Sequence, residues 1–404
     1  MTGMLLLMLG NGLQGTLIGV RGAIENIDAN WLGLVMSAYF IGFMGGSRLA
    51  PLMLRRVGHV RVFAALGSLV SAAFILYAAY VNPWFWLFLR LVVGFCFSGI
   101  YVVAESWLNE SSTNETRGQA LSLYLMVQMA GIVLGQLLLN VADPAGYGLF
   151  VLITVLVSIS FAPILLSTGP APVYQTSRPM SLRELIEASP LACFGTFILG
   201  GIFSALFAMA AVYATRIELS IREISYFITA IYAGGMICQY PIGWLSDRMD
   251  RRKLILIVTG SGALIAMAGS FATNLAVLYC IAFLLGGVSN PLYSLLIAYA
   301  NDYLDPDQMP SASGGLLFIN GFGAMSGPAI VGILMNRYGS HFFFVFIAVL
   351  MAAICLYAIY RSFVRESISI EEATPYLHIT SRSTQVAAEI AIEVVDETDE
   401  KPEE

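Results

Sequence analysis

The chain has 404 residues, of which 58% are hydrophobic and only 11% are charged, and its mean hydropathy is +0.79. Soluble proteins carry about 25% charged residues, so this composition excludes a protein whose whole surface faces water. The formal net charge of −6 arises in the tail, residues 366–404, which holds 11 acidic and two basic side chains. No clustered basic surface of the kind that nucleic acid needs is apparent in the sequence.

Long apolar stretches recur along the chain. A bilayer core about 30 Å thick needs ~20 apolar residues in a helix, and twelve stretches approach that length. We therefore predict an all-α membrane protein of twelve transmembrane helices in two pseudo-symmetric six-helix bundles. The predicted spans, numbered 1 to 12 in chain order, are 4–20, 32–54, 61–80, 84–108, 117–141, 146–166, 190–214, 223–245, 254–273, 275–300, 310–335 and 341–362.

The basic residues between the spans predict the orientation of the chain. Loops that follow even-numbered spans, taken with the residues just after span 12, carry twelve Lys or Arg, whereas the other loops carry four. By the positive-inside rule, the even loops and both termini are expected in the cytoplasm. The predicted location is the cytoplasmic (inner) membrane, as a multi-pass protein.

The domain organisation follows from the spacing of the spans. Within the longest connection, Ser181 is predicted to cap a short surface helix through Glu184. The tail is rich in charge and poor in apolar residues, so it is expected to be disordered. The predicted parts are an N-terminal bundle at 1–166, a cytoplasmic linker at 167–189, a C-terminal bundle at 190–365 and an acidic cytoplasmic tail at 366–404.

Features of the first half recur 192 residues later. Six spans are an even number, so the two halves have the same orientation, and a solute site is expected near the bilayer midplane between such parallel repeats. The matched features are Gly42 and Gly234, Gly94 and Gly286, Tyr101 and Tyr293, Gln128 and Asn320, the Gly131/Gly135 and Gly323/Gly327 pairs, and Asn109-Glu110 and Asn301-Asp302.

A charged sequence, GWLSDRMDRRK, runs from Gly243 at the end of span 8 to Lys253. It resembles the G-x-L-[SA]-D-R-x-G-R-[RK] signature of the major facilitator superfamily and departs from it at Asp250, where the family usually has glycine. The resemblance covers residues 1–365 and implies that family's fold and transport by alternating access. The amino-acid sequence around Tyr101 and His59 is similar to that of a bacterial branch of the family whose substrates are poorly defined.

The motif also predicts a cytoplasmic latch that is formed in one conformation and broken in another. Asp247 is expected to pair with Arg251 or to cap a neighbouring helix, although a static basic anchor is an open alternative. The loop after span 2 has Arg55 where the family has Asp, so the latch of that half must differ. The candidates are Gly243, Asp247, Arg248, Arg251 and Arg252 with Asp302 in one half, and Arg48, Arg55 and Arg56 with Glu105 and Glu110 in the other.

Polar side chains on spans 1, 4, 5, 8, 10 and 11 are candidates for the solute path, since the resemblance implies that these spans are among those that line the cavity. Each could instead make a helix–helix hydrogen bond. Arg90 is the most informative, because a guanidinium inside the bilayer is costly and normally faces a cavity or a partner; it is expected to attract an anionic group. The candidates are Asn11, Gln14, Arg90, Tyr101, Tyr124, Gln128, Gln239, Tyr240, Asn290, Tyr293 and Asn320.

The predicted function is therefore secondary active or facilitative transport of a small solute, such as an organic anion or a drug-like compound. A transport-inactive receptor or sensor on the same fold is the alternative, and no clustered catalytic residues indicate an enzyme. No cofactor or metal is expected, because the five cysteines and three histidines are scattered. The expected partners are a small-molecule substrate, a coupling ion and the lipid bilayer, with no nucleic acid, and the chain is expected to be a monomer. No Asp or Glu lies in the middle of a span, so facilitated diffusion, anion-linked coupling and coupling through Glu105 all stay open.

Overall fold

The computed structural model describes residues 1–110, 112, 114–165, 180–305 and 308–364 and the single positions 376, 387 and 391; for 109, 110, 114–118, 164 and 165 it describes the backbone alone. These residues form helices joined by short loops, and no strand occurs among them. Ten of the described helices are long and apolar enough to cross a membrane. The prediction of an all-α membrane protein is confirmed.

The helices at the twelve predicted places are numbered α1 to α12. Their bounds are α1 Thr2–Ile24, α2 Ala29–Val57, α3 His59–Ala79, α4 Pro83–Glu110, α5 Asn114–Leu137, α6 Gly148–Ser160, α7 Pro190–Arg216, α8 Ile221–Ser246, α9 Arg251–Gly269, α10 Leu275–Asn301, α11 Met309–Tyr338 and α12 Phe342–Val364.

Two of these twelve, α6 and α8, are not among the ten apolar spans. Helix α6 is apolar but has only 13 residues, and the chain continues past it into the short helix Ala162–Leu165. Helix α8 has 26 residues, and polar and tyrosine side chains such as Gln239 and Tyr232 lower its hydropathy. The twelve-span prediction is compatible with ten long apolar helices and these two.

The packing of helices repeats between the halves. In the first half α1 packs on α5 and α6, α2 on α4, and α3 on α4 and α6. In the second half α7 packs on α11 and α12, α8 on α10, and α9 on α10 and α12. Every pairing therefore recurs six helices later, as expected for two bundles of one architecture.

Glycines place the most closely packed helices of each half. A Cβ on Gly42 would collide with the carbonyl oxygen of Leu91, and one on Gly234 would collide with that of Phe283. Phe283 lies 192 residues after Leu91, so the same backbone contact is built twice. Small residues allow helix backbones to approach this closely in membranes.

Two close contacts between the halves lie near one end of the bundle. We call the end that holds the loops after α2, α8 and α10 the basic face, and the other end the opposite face. Near the opposite face Gly33 of α2 lies against the Pro328 carbonyl of α11, and the Ser225 hydroxyl of α8 donates to the Gln136 carbonyl of α5 at 2.7 Å. These two crossings are also related by 192 residues, since Ser225 follows Gly33 and Pro328 follows Gln136 by that number.

The described part of the linker is a short helix, Leu182–Ala188, which begins as the sequence predicts. The Ser181 hydroxyl accepts from the Glu184 N–H, and the Glu184 carboxylate accepts from the Ser181 N–H, both at 3.2 Å. Leu185 is buried and lies where a Cβ on Gly315 of α11 would be. The linker helix is thereby attached to the second half at the basic face. Residues 166–179 lie outside the described residues.

Candidate solute cavity and charged loop

A cavity of about 460 Å³ lies between the two halves. Of its lining residues on α1, Thr16 lies farthest from the basic face, and the cavity extends from there toward that face, where Pro51 and Leu182 line it. The contacts between α2 and α11 and between α5 and α8 close the bundle beyond its inner end. The cavity is thus closed from the opposite face and extends to the basic one.

The first half contributes a chain of polar side chains to the cavity wall. The Gln14 amide donates to Asn11 Oδ1 at 3.2 Å, and the Asn11 amide donates to the Tyr101 hydroxyl at 2.9 Å. The Tyr101 hydroxyl in turn lies 3.5 Å from the Met8 sulfur. Because the Gln14 nitrogen is used by Asn11, its carbonyl oxygen is free to accept from Arg90, and it does so.

Arg90 is 3% exposed and lines the cavity. Besides the bond to Gln14, its Nη2 lies 3.0 Å from the Met36 sulfur, and its guanidinium carbon lies 5.1 Å from the centre of the Tyr39 ring. Every one of these partners is neutral. The side chain points into the protein and away from the lipid, as the sequence-based hypothesis requires.

The second half presents mainly apolar and aromatic groups to the same cavity. Phe203 and Phe207 stack with ring centres 5.5 Å apart, and Phe207 lies 4.7 Å from the Tyr232 ring. Helix α7 has a π-helical turn at Ala205–Met209, a widening that is frequent at functional sites. Asn290 and Asn320 also line the cavity, but their amides are held by backbone carbonyls, of Gly235 at 3.4 Å and Thr196 at 3.1 Å.

A family model described as the Major Facilitator Superfamily matches residues 1–220 and 192–381, which together include all twelve helices. The chain belongs to this superfamily. It is thus a multi-pass membrane transporter, and its repeat of 192 residues is the relation between the two halves of the superfamily's fold.

Curated relatives carry transporter names of the same superfamily. An uncharacterized MFS-type transporter, YcaD, of Escherichia fergusonii is 28% identical over 353 residues, which cover 86% of this chain and 91% of the relative. An uncharacterized MFS-type transporter of Yersinia pestis is 26% identical over 353 residues, with 86% and 90% covered.

Solved structures of superfamily members share the fold at low sequence identity. A variant of the nucleoside transporter NupG superposes with a TM-score of 0.77 at 13% identity, covering 89% of this chain and 98% of NupG. A bacterial homologue of the human lysosomal transporter Spinster, described as inward-facing and occupied, superposes with a TM-score of 0.73 at 13% identity, covering 92% and 97%.

The superfamily motif forms an ionic cluster at the basic face. Arg251 is 4% exposed and is paired with Asp302 of α10, while Asp247 lies 3.6 Å away and is nearly half-exposed. Arg251 also donates to the Ala298 carbonyl at 3.1 Å. Asp250 has φ −52°, outside the left-handed region, and its carboxylate caps α9 by accepting from the Arg252 N–H at 2.8 Å. The aspartate therefore replaces the family's glycine as a helix cap.

Arg252 and Arg248 stand on either side of this cluster. Arg252 donates to the Tyr303 hydroxyl at 3.1 Å and to the Arg361 carbonyl at 3.4 Å, which ties α9 to α10 and α12. Arg248 is exposed and lies over the Trp244 ring at 4.3 Å. The former holds helices together, whereas the latter is free to meet lipid or solvent.

Tyr376 of the tail lies against the same loop. Its N–H donates to Asp247 Oδ1 at 2.9 Å, its hydroxyl accepts from the Gln239 amide at 2.7 Å, and its ring fills the space beside Gly243. Burial raises the pKa of Tyr376, so its phenol stays neutral. The disorder expected for the tail falls largely on residues outside those described, but Tyr376 itself is packed on α8, and Ala387 and Ala391 are buried.

Five of the predicted path residues line the cavity, namely Asn11, Gln14, Arg90, Asn290 and Asn320. Tyr240 does not: its side chain is 80% exposed, because it follows Gln239 by one position and so projects about 100° away around α8. The expectation that Tyr240 meets a solute is corrected accordingly. The remaining candidates are buried behind the wall, and these are Tyr101, Tyr124, Gln128, Gln239 and Tyr293.

The first-half latch candidates are placed differently from those of the second half. Glu105 is fully buried and accepts from the Tyr124 hydroxyl at 3.2 Å. Arg55 and Arg56 are exposed at the basic face, and Arg48 lines the cavity with its guanidinium 3.9 Å from the centre of the Phe318 ring. The side chain of Glu110 lies outside the described residues. Pairing of Glu105 with these arginines stays a prediction.

Phe203, Phe207 and Tyr232 form a surface that we call the aromatic wall, and none of them is among the sequence-based candidates. Phe203 lies 192 residues after Asn11, and Phe207 lies one helical turn further along α7. The repeat itself is therefore a signal that could have found these two residues, because Asn11 and Gly15, which occupy the equivalent positions of α1, also line the cavity.

Proposed function

We propose that the protein moves a small organic solute across the cytoplasmic membrane by alternating access, as a secondary active or facilitative transporter. The observation that carries this proposal is the cavity between the halves, closed from the opposite face and extending to the basic one. Rocking of two similar bundles about such a site is the expected motion of parallel repeats. The described arrangement is then one of the two end states, open to the cytoplasm if the basic face is cytoplasmic.

The contacts that close the opposite face suit a reversible seal. They consist of backbone approach at Gly33 and Gly332 and of neutral hydrogen bonds, such as Ser37 accepting from the Ala329 N–H at 3.2 Å. Contacts of this kind can be exchanged for others at small cost, since no buried charge is left unpaired when they open. We infer that this face opens when the basic face closes.

Several details of the transport cycle follow from the cavity. No Asp or Glu is among the described residues that line the cavity, which favours facilitative transport or coupling through the charge of the solute over a proton carried by a cavity carboxylate. One chain is sufficient to form the cavity, so we propose that a monomer is the transporting unit. The receptor alternative finds no support in the relatives, whose names are those of transporters.

A reversible cross-link across the closed face tests the proposal. In a variant in which the five native cysteines are replaced, Asn140→Cys and Ser225→Cys join the 3₁₀ turn after α5 to α8, because the Asn140 amide nitrogen and the Ser225 hydroxyl are 3.0 Å apart across the halves. Uptake of a mixture of metabolites and drugs into proteoliposomes, resolved by mass spectrometry, is expected to stop on oxidation and to return on reduction.

The matched control joins two helices of the same half. Ser71 and Ser158 hydroxyls lie 2.8 Å apart between α3 and α6, so Ser71→Cys with Ser158→Cys forms a cross-link that the rocking motion does not break. Uptake should continue in this control. Uptake that persists with the Asn140–Ser225 cross-link closed would overturn alternating access, and solute binding without any uptake would favour the receptor.

A further inference from the structure

We propose that the transported solute is an amphipathic organic monoanion, with its charged head on Arg90 and its apolar body against the aromatic wall of α7 and α8. This inference deepens the proposed transport function and rests on it. It is drawn from the charge of the cavity, the state of Arg90 and the different chemistry of the two walls.

The charged side chains that line the cavity, among the residues the structure describes, are both positive. They are Arg90 at the inner end and Arg48 toward the basic face, and no carboxylate is among these described lining residues. Two like charges in a low-dielectric cavity repel a cation and attract an anion. A cationic drug-like compound is therefore disfavoured, and of the two kinds of solute that the sequence suggests, the anion remains.

Arg90 is held in place but its charge is not neutralised. Gln14 and Met36 accept two of its hydrogen bonds, its Nε is buried with no partner, and no acidic side chain of the described chain pairs with it. A buried charge without a counter-ion is energetically costly. An anion that enters the cavity would recover that cost, and its head would meet the two-pronged donor that suits a carboxylate or sulfonate.

The hydrogen-bond chain behind Arg90 fixes the direction of binding. Tyr101 orients Asn11, Asn11 orients Gln14, and the Gln14 oxygen points at the guanidinium. All of these groups belong to the first half. The head of the solute is consequently bound by α1 and α4.

The second half has no matching polar groups. The residues 192 positions after Asn11, Gln14 and Arg90 are Phe203, Leu206 and Ala282. Across the cavity, Phe203, Phe207 and Tyr232 form a continuous aromatic surface. At the inner end the described lining has a single guanidinium, that of Arg90, because Arg48 lies toward the basic face. A solute with one charged head and an aromatic or aliphatic body therefore fits this part of the cavity. A volume of about 460 Å³ is in the range of sites for drug-sized ligands.

Binding of defined probes to the purified full-length protein tests this proposal. The probes are 4-phenylbutyrate, its primary amide, the amine 4-phenylbutylamine and the sulfonate 4-phenylbutanesulfonate, each measured by calorimetry and thermal shift. The two anions are expected to bind about tenfold or more tightly than the amide, which corresponds to about 1.4 kcal/mol, and the amine is expected to bind most weakly.

Variants separate the head from the body of the site. Arg90→Gln is expected to remove the preference for the anions while leaving the weak binding of the amide, which also shows that the variant is folded. Arg90→Lys keeps the charge but loses the planar fork and should retain only part of the preference. Phe207→Leu should weaken all probes about equally. Arg183→Gln, on the exposed linker helix, is the charge-matched control and should change nothing.

Equal affinity for anion and amide, tighter binding of the amine, or failure of all four probes to bind would overturn the monoanion proposal. An undiminished preference in Arg90→Gln would overturn the assignment of the head to Arg90. None of these results bears on the cross-link experiment, because that experiment measures uptake from a mixture of metabolites and drugs that was not chosen for its charge. If uptake continues after the cross-link has formed and the probes still bind as expected, alternating access is refuted and the monoanion proposal is unaffected.

Discussion

The two halves agree where helices touch and differ where side chains face the solute or the basic face. Gly42 and Gly234 make the same contact in each half, whereas Asn11 on the first cavity wall corresponds to Phe203 on the second. The Arg251–Asp302 ion pair lies in the second half, and His59 stands at the first-half position that corresponds to Arg251. Among the described residues, the backbone contacts between helices are thus shared by the two halves, while the polar side chains of the cavity differ between them.

The largest expected change in the free energy of unfolding comes from substitution at the Arg251–Asp302 ion pair. Asp302→Asn leaves the nearly buried Arg251 without its tight partner and should lower the free energy of unfolding by ~3 kcal/mol. Asp247→Asn, whose carboxylate is nearly half-exposed and 3.6 Å from Arg251, should cost about 1 kcal/mol or less. Thermal unfolding of the purified variants measures both. Equal losses would mean that the two carboxylates share Arg251 evenly.

Asp247→Asn should still impair solute flux more than solute binding, because it alters a carboxylate that contacts both Arg251 and Tyr376 of the tail. Flux per molecule in proteoliposomes, compared with probe affinity in detergent, separates the two effects. Unchanged flux at equal protein abundance would favour a static anchor at this loop.

Substitution of the glycine in either of the two matched helix contacts should lower the free energy of unfolding by a similar amount. Gly42→Ala and Gly234→Ala each force a methyl group into a backbone carbonyl and should destabilise the protein by about 1–3 kcal/mol. Gly15→Ala is the control, because a Cβ there meets nothing within 4 Å. A much smaller effect in one half, measured by thermal unfolding, would show that the halves do not use the contact alike.

Replacing Gln14 by the residue at its repeat-equivalent position should have a moderate effect on anion affinity. Gln14→Leu supplies the residue found at Leu206, removes the acceptor that positions Arg90, and should cost about 1–3 kcal/mol in anion affinity. Calorimetry with 4-phenylbutyrate and its amide is the measurement. Unaltered anion affinity would show that the guanidinium needs no support from α1.

The smallest effect is expected at the tail. Tyr376→Phe removes the hydrogen bond from Gln239 and should lower the unfolding free energy by about 1 kcal/mol, whereas Tyr360→Phe, exposed on α12, should have no effect. The sequence predicts instead that residues 371–404 are dispensable. Identical unfolding of the two variants would favour that prediction.

Much of the fold could be predicted from the sequence because hydropathy and repeat spacing are properties of the chain itself. The sequence predicts that the uncharged stretch 254–301 forms two helices separated at Asn274. In the structure Asn274 caps α10, because its side-chain oxygen accepts from the Ala276 N–H at 2.8 Å. The bounds of α2 and α11 were underestimated, since these helices extend beyond the apolar core into the polar layer at residues such as Arg56 and Arg337.

The cavity was harder to predict because helical phase decides which polar residue faces inward. Gln239 and Tyr240 are neighbours with opposite environments, and an aromatic residue such as Phe203 has the same hydropathy whether it meets lipid or solute. The π-helical turn of α7 has no sequence signal at Ala205–Met209. The contact of Tyr376 depends on a residue 129 positions from Asp247, a separation that local patterns do not reach.

The lone guanidinium of Arg90 has an electrical consequence. With the cavity empty, the protein holds one uncompensated positive charge at this depth; with a monoanion bound, the pair is neutral. Membrane voltage acts on charge, by about 2.3 kcal/mol per elementary charge moved through 100 mV. Voltage should therefore bias the return of the empty carrier and leave the loaded carrier nearly unaffected, so that exchange of one anion for another proceeds without current while net movement does not.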